Sequence, residues 1–158
     1  MFTIRPAILE DAAIIAGQRR AMFFDMGYRD EPVLDSMTEA FLPWLRQRMN
    51  AGEYLGWFAV AEDGAVAAGA GLWLMDWPPH MVGPGSRRGN ILNVYTQTEF
   101  RRQGLARRLT ETAVEWCGAN GIATVILHAS DEGRPLYRSL GFEASNEMRR
   151  VVADGACL

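Results

Sequence analysis

Arg101, Arg102, Arg107 and Arg108 crowd the predicted opening of a helix, where unpaired backbone N–H groups and the macrodipole already place positive charge. Cations are disfavoured there unless an anion joins them. A helix opening preceded by a glycine, here Gly104, suits such an anion, because backbone N–H groups can point at a phosphate or carboxylate. The chain has 16 basic residues, all of them arginine, so a P-loop lysine, a lysine Schiff base and a lysine general base are excluded. Gly-x-Gly-x-x-Gly is also missing, so any phosphate bound here is held in another way than in dinucleotide or nucleoside-triphosphate enzymes.

A net charge of −3 gives no broad basic surface, which argues against nucleic acid as a partner and makes the anion site a local feature. Cys117, inside a helical pattern, and Cys157 form no disulfide framework, zinc spacing or redox pair. No metal is therefore expected, and the reading is cytoplasmic. The opening Met-Phe-Thr-Ile-Arg-Pro lacks the order of a signal peptide, and no run is long enough for a membrane span. The length of 158 residues fits one domain, expected over 1–152, with a frayed tail at 153–158.

Several elements must position the arginine-rich loop. Phe2 to Arg5 reads as a strand stopped by Pro6, and Ile14, Ile15, Met22 and Met26 recur at helical spacing up to Gly27. A second helix is marked by Leu34, Met37, Phe41, Leu45 and Met49, with Ser36 and Glu39 in capping-box spacing and Pro43 as a kink or break. Tyr54–Ala61 and Ala65–Met75 read as a hairpin around Glu62-Asp63-Gly64, the second strand rich in small residues that permit close packing. Asp76–Gly89 is a Pro/Gly loop, Ile91–Thr96 a strand, and about Gln103 to Gly118 a helix with Leu105, Leu109, Ala113 and Trp116 buried and Asn120-Gly121 as its cap. Ala123–Ala129 is a strand, Gly133–Leu140 a short helix, and Phe142–Val152 a last strand or hairpin. The order gives a mixed α/β sheet with helices on both faces.

Arg101-Arg102-Gln103-Gly104-Leu105-Ala106 fills the Gln/Arg-x-x-Gly-x-Gly/Ala signature of the GNAT superfamily of acyl-CoA N-acyltransferases, which the chain resembles over nearly its whole length. A second mark agrees: Tyr137 stands shortly before Leu140-Gly141-Phe142 on the short helix after the next strand. The resemblance implies an α/β (α+β), mostly antiparallel twisted sheet of roughly six to seven strands with a splayed parallel fourth and fifth pair. It implies acetyl-CoA as cosubstrate, its pyrophosphate on the backbone amides of Arg102, Gln103, Gly104, Leu105, Ala106 and Arg107, with Arg101 as a further counter-charge. Val94, Tyr95 and Thr96 would pair through their backbone with the pantetheine arm and polarise the thioester. Tyr137 would be the general acid: a phenol of pKa about 10 is a reasonable donor to a thiolate whose conjugate acid lies near about 8 to 9. Where many relatives place asparagine after the fifth strand this chain has Ser130, a possible substitute.

The acceptor amine must lose a proton, and relatives often use a fourth-strand glutamate; here that strand offers Asn90, Asn93 and Tyr95. His128, His80 and Asp76 remain as candidate bases, alongside a water chain or an already neutral amine. Phe23, Phe24, Met26, Tyr28, Trp73 and Trp77, with Asp25, Asp30, Glu31 and Asp35 near them, suggest a pocket for a cationic amine. The expected activity is N-acetyl transfer from acetyl-CoA to a primary amine of a small molecule or peptide by direct attack in a ternary complex, since neither motif contains a cysteine to carry the acyl group. The alternative is a catalytically silent acyl-CoA-binding sensor. Acetyl-CoA and the amine are the expected partners, and a homodimer stays open.

Overall fold

The computed structural model describes residues 1–153; Cys157 and the expected tail beyond Ala153 lie outside the described residues. The chain divides into two compact units, Met1–His128 and Ala129–Leu158. Among the described residues no helix is long and apolar enough to cross a membrane.

The first unit is built on a five-stranded sheet with its strands in chain order, β1 (Phe2–Pro6), β2 (Tyr54–Ala61), β3 (Val66–Asp76), β4 (Arg87–Thr96) and β5 (Val125–Leu127). Neighbours are antiparallel except β4 and β5, which run parallel. Pro6 is tolerated because β1 is an edge strand, where a missing N–H breaks no ladder. β4 begins at Arg87, earlier than the expected Ile91, because Arg87, Arg88 and Gly89 pair with Asp76, Met75 and Leu74. The Pro/Gly loop shrinks accordingly to 77–86. The described residues hold five strands, fewer than the six to seven expected. Phe142–Val152 forms none: with Glu143, Glu147, Arg149 and Arg150 exposed among its apolar residues, it offers no face to bury.

Helices α1 (Ala12–Asp25) and α2 (Glu31–Asn50) cover one face. The buried stripe of α1 is Ala12, Ile15 and Ala16, spaced three and four apart, while the expected Ile14 and Met26 turn outward. α2 starts earlier than the Ser36 capping box implied. Asp30 caps it by accepting from the Val33 N–H (3.1 Å), and Pro32 sits in the first turn, where no N–H is needed. Pro43 does not break α2. The carbonyl it deprives of a donor belongs to Glu39, on the exposed side, where water can replace the bond.

Helix α3 (Leu105–Ala119) covers the opposite face with Leu105, Leu109, Ala113 and Cys117, an i, i+4 row in which Cys117 replaces the expected Trp116. Gly121, at φ 73°, closes α3, and Ile122 N–H reaches back to the Cys117 carbonyl (3.0 Å). In the second unit α4 (Arg134–Ser139) is a single short helix.

The small residues of β3 have distinct uses. Ala68, Ala70 and Leu72 alternate with Gly69 and Gly71, and the glycines lie on the α1/α2 side: a Cβ on Gly69 would fall 2.2 Å from Gln18 Oε1, and one on Gly71 1.9 Å from the Tyr54 hydroxyl. Tyr54 thus lies across the bare backbone of β3. Gly71→Ala is expected to force it out and lower stability by roughly 1–3 kcal/mol, seen as a lower denaturant midpoint in equilibrium unfolding.

Candidate active site

Asn93 interrupts β4. Gly69 of β3 pairs with Tyr95 and Gly71 with Leu92, so β4 carries an extra residue, and Asn93 takes φ 55° to absorb it. Asparagine accepts this left-handed region more readily than most residues. On the other side of β4, the ladder with β5 covers only Gly89, Asn90 and Ile91. From Leu92 to Thr96 β4 continues with no β5 partner, so Val94, Tyr95 and Thr96 lie along an open strand edge.

The bulge is held by side chains. Asn93 is 3% exposed; its Nδ2 donates to the Tyr54 hydroxyl (2.9 Å) and its Oδ1 accepts from Arg19 Nη1 (2.8 Å). Arg19 lies over the rings of Phe23 and Phe41, 4.9 and 4.8 Å from their centroids. Burial pushes the Tyr54 phenol up to about 12, so at neutral pH it is a hydrogen-bonding hydroxyl and not a base. Burial likewise lowers the Arg19 guanidinium from its ordinary value.

The arginine-rich loop follows β4. Arg102 (φ 62°) and Gly104 (φ 76°) both adopt left-handed backbone, and Gly104 is the residue before α3, with no side chain capping the helix. Among the described residues no group accepts from the N–H of Arg102, Gln103, Gly104, Leu105 or Ala106, which leaves a run of donors at a helix opening. The four arginines are not equivalent. Arg101 Nε donates to the Thr96 carbonyl (3.0 Å) and its guanidinium binds the Asp25 carboxylate. Arg108 donates to the Phe2 carbonyl (3.3 Å), and Arg107 lies 3.8 Å from the Glu111 carboxylate. Arg102 alone of the four makes no hydrogen bond or ion pair among the described residues.

The acids expected to line an amine pocket are engaged elsewhere. Asp25 holds Arg101, Asp30 caps α2, and Glu31 and Asp35 both bind Arg20, Asp35 at 2.9 Å. Of the expected pocket residues, Phe23 stacks on Arg19, Phe24 lies under Arg29 (3.8 Å) and Trp73 packs against the core, whereas Met26, Tyr28 and Trp77 are exposed.

Asp76 ends β3 opposite Arg87, roughly 20 Å of strand from the bulge. His80 lies in the 77–86 loop, where its Nδ1 accepts from the Val82 N–H (3.2 Å). His128 is one residue past β5, in line with Leu92, at the point where β4 and β5 part. In the second unit Tyr137 packs its ring on Phe142, with centroids 6.0 Å apart, and burial raises its pKa. Ser130 Oγ accepts from the Gly133 N–H (3.1 Å), a local turn. Cys117 is 1% exposed and burial pushes its thiol up to about 11, which removes it as an acyl carrier. Among the described residues no group of side chains could hold a metal ion.

Comparison with known proteins gives a consistent picture. A family model described as the acetyltransferase (GNAT) family matches residues 19–142. A glucosamine 6-phosphate N-acetyltransferase of Trypanosoma brucei brucei is 27% identical over 122 residues, covering 77% of this chain and 80% of that protein. The crystal structure of a GCN5-related N-acetyltransferase from Ralstonia eutropha JMP134 superposes with a TM-score of 0.89 at 36% identity, over 96% of this chain and 99% of the other. A predicted acetyltransferase of Clostridium acetobutylicum, solved with acetyl-CoA, shares the fold at 24% identity, with a TM-score of 0.85 and 96% of each chain covered.

Sequence reasoning missed Tyr54 and Arg19, which fix the bulge, because their partner Asn93 lies 39 and 74 residues away. The one local signal was asparagine inside a β-branched strand, a poor strand former with a preference for left-handed backbone. Tyr54→Phe leaves the buried Asn93 amide without its acceptor and should cost about 1–3 kcal/mol at neutral pH. A phenol raised on folding stabilises fully below pH 10, and that stability is lost as pH rises toward about 12. Urea unfolding across that range should show a larger alkaline loss in the parent than in the variant, which keeps only the contributions of the raised Cys117 thiol and Tyr137 phenol.

Proposed function

Because the chain belongs to the acetyltransferase (GNAT) family and is thereby an acyl-CoA-dependent acyltransferase, we propose that it moves an acetyl group from acetyl-CoA to the primary amine of a small molecule or peptide. The reaction is a direct attack in a ternary complex, carried by a single acyltransferase domain over 1–152 in the cytoplasm. The observation that carries this reading is the coincidence of an open β4 edge from Leu92 to Thr96 with a run of unpartnered N–H groups from Arg102 to Ala106. The first suits the pantetheine arm, which can pair with the edge as an added strand, and the second suits the pyrophosphate. A curated relative acts on glucosamine 6-phosphate, an amine of small size.

Each step of the proposed reaction has a group in the chain suited to it. An N–H along Val94 to Thr96 polarises the thioester carbonyl, and the neutral amine attacks it. The carbon–sulfur bond then breaks, and the departing thiolate takes the proton of the Tyr137 hydroxyl. The amine gives up its own proton to His128, directly or through water; Asp76, paired with Arg87 at the opposite end of β4, and His80, in the loop leading into that end, are the weaker candidates. Ser130 keeps its hydroxyl proton available for the pantetheine while its oxygen accepts from Gly133.

The direct test is amine-dependent thiol release from acetyl-CoA. Tyr137→Phe should lower kcat by roughly 10²-fold or more with acetyl-CoA affinity unchanged; unaltered turnover would remove Tyr137 from the mechanism. His128→Gln should lower kcat similarly, again with acetyl-CoA affinity unchanged. Arg102→Gly separates fold from function: glycine relieves the left-handed backbone and should raise stability by about 1 kcal/mol, while losing the phosphate contact should weaken acetyl-CoA binding roughly tenfold. Tight acetyl-CoA binding with no transfer to any amine would favour the silent sensor instead.

A further inference from the structure

The α1/α2 face of the sheet holds polar side chains for which acetyl transfer itself has no use. Arg48 lies over Trp44, its guanidinium carbon 4.1 Å from one ring centroid, and 5.9 Å from a ring of Trp73. Arg88 lies over Trp77 at 3.8 Å. The Nε of each is buried without a hydrogen-bond partner, and neither guanidinium has a carboxylate partner among the described residues. This sets them apart from Arg5, Arg20 and Arg101, each bound to an acid.

Asn90 is related to both through the sheet register. It is 8% exposed, pairs across the sheet with Trp73, and points to the same face as Arg88, two residues before it on β4. Its Nδ2 approaches Met75 Sδ (3.6 Å), while its Oδ1 is buried and accepts from no described residue. A guanidinium stacked on an aromatic ring is oriented in advance, is weakly hydrated and presents a fork that fits carboxylate or phosphate oxygens. A buried carbonyl oxygen asks for the opposite, a donor. One ligand meets both demands if it carries an anionic group and an N–H or O–H.

Resting on the acetyltransferase reading above, we propose that the acceptor is an amine that also bears a carboxylate or phosphate. Arg48 and Arg88 bind that anionic group, and Asn90 Oδ1 accepts a hydrogen bond from the acceptor. The acids once suited to a cationic amine are already paired with Arg101 and Arg20 or used to cap α2. Asn90 precedes the bulge by three residues, roughly 10 Å of strand.

The test compares thiol release from acetyl-CoA with paired amines: α-amino acids each beside its α-amide, and glucosamine 6-phosphate beside glucosamine. The anionic member of at least one pair should have a kcat/KM at least tenfold higher, and which pair responds tells carboxylate from phosphate. Arg88→Gln and Arg48→Gln should each raise KM for that compound about tenfold with kcat and the KM for acetyl-CoA unchanged, and Arg48→Lys should recover part of the loss. Preference for the neutral member in every pair, or variants that impair both members equally, overturns the proposal. Where no pair turns over, calorimetric titration of the same compounds into the acetyl-CoA-loaded protein reads the same contrast, and no heat with any anionic member overturns it as well. Failure to bind acetyl-CoA at all would instead strike the acetyltransferase reading.

Discussion

The bulge at Asn93 is the constraint on which the first unit turns. One extra residue in β4 sends the strand off its alternation, and past Ile91 the parallel ladder with β5 ends. A left-handed asparagine in mid-strand is costly unless its side chain is satisfied. Here both ends of the amide are bonded, to Tyr54 and to Arg19, and both partners are themselves fixed, one across the bare backbone of Gly71 and the other between two phenylalanine rings. The open strand edge is therefore a product of packing on the α1/α2 face.

Electrostatics on that face is sorted by pairing. Arg20 gathers Glu31 and Asp35 and so joins α1 to the start of α2, while Asp25 joins the end of α1 to the arginine-rich loop through Arg101. An acid in the last turn of a helix is unfavourable against the macrodipole, and Arg101 offsets it. With the carboxylates committed to these contacts, the groups left facing the β3/β4 surface are guanidinium ions on aromatic platforms and the Asn90 carbonyl. This is the surface on which the proposed anionic acceptor would be held.

Main chain supplies most of the proposed donor site. The N–H groups before and inside the first turn of α3 need no particular side chain, only left-handed backbone at Gly104 and Arg102 and a small residue at Ala106. In the proposed reaction the substrate itself is the nucleophile, and the one described cysteine is buried with its thiol raised to about 11. The proposed acid, Tyr137, belongs to the second unit, where burial raises its phenol as well and keeps it protonated.

What the sequence determined by itself was local. Gly104 before a run of arginines, the i, i+4 row Leu105, Leu109 and Ala113, the Asn120-Gly121 cap and the Glu62-Asp63-Gly64 turn are all set by neighbours a few residues apart, and each was legible. The same holds for the motif that carries the family resemblance. Tertiary structure decided what depends on distant partners: that Asn93 bulges, that Asp25 answers Arg101, that α2 starts at Glu31 under an Asp30 cap, and that Phe142–Val152 finds no ladder to join. Periodicity reports which residues share a face, and it is silent on which charge meets which across the fold.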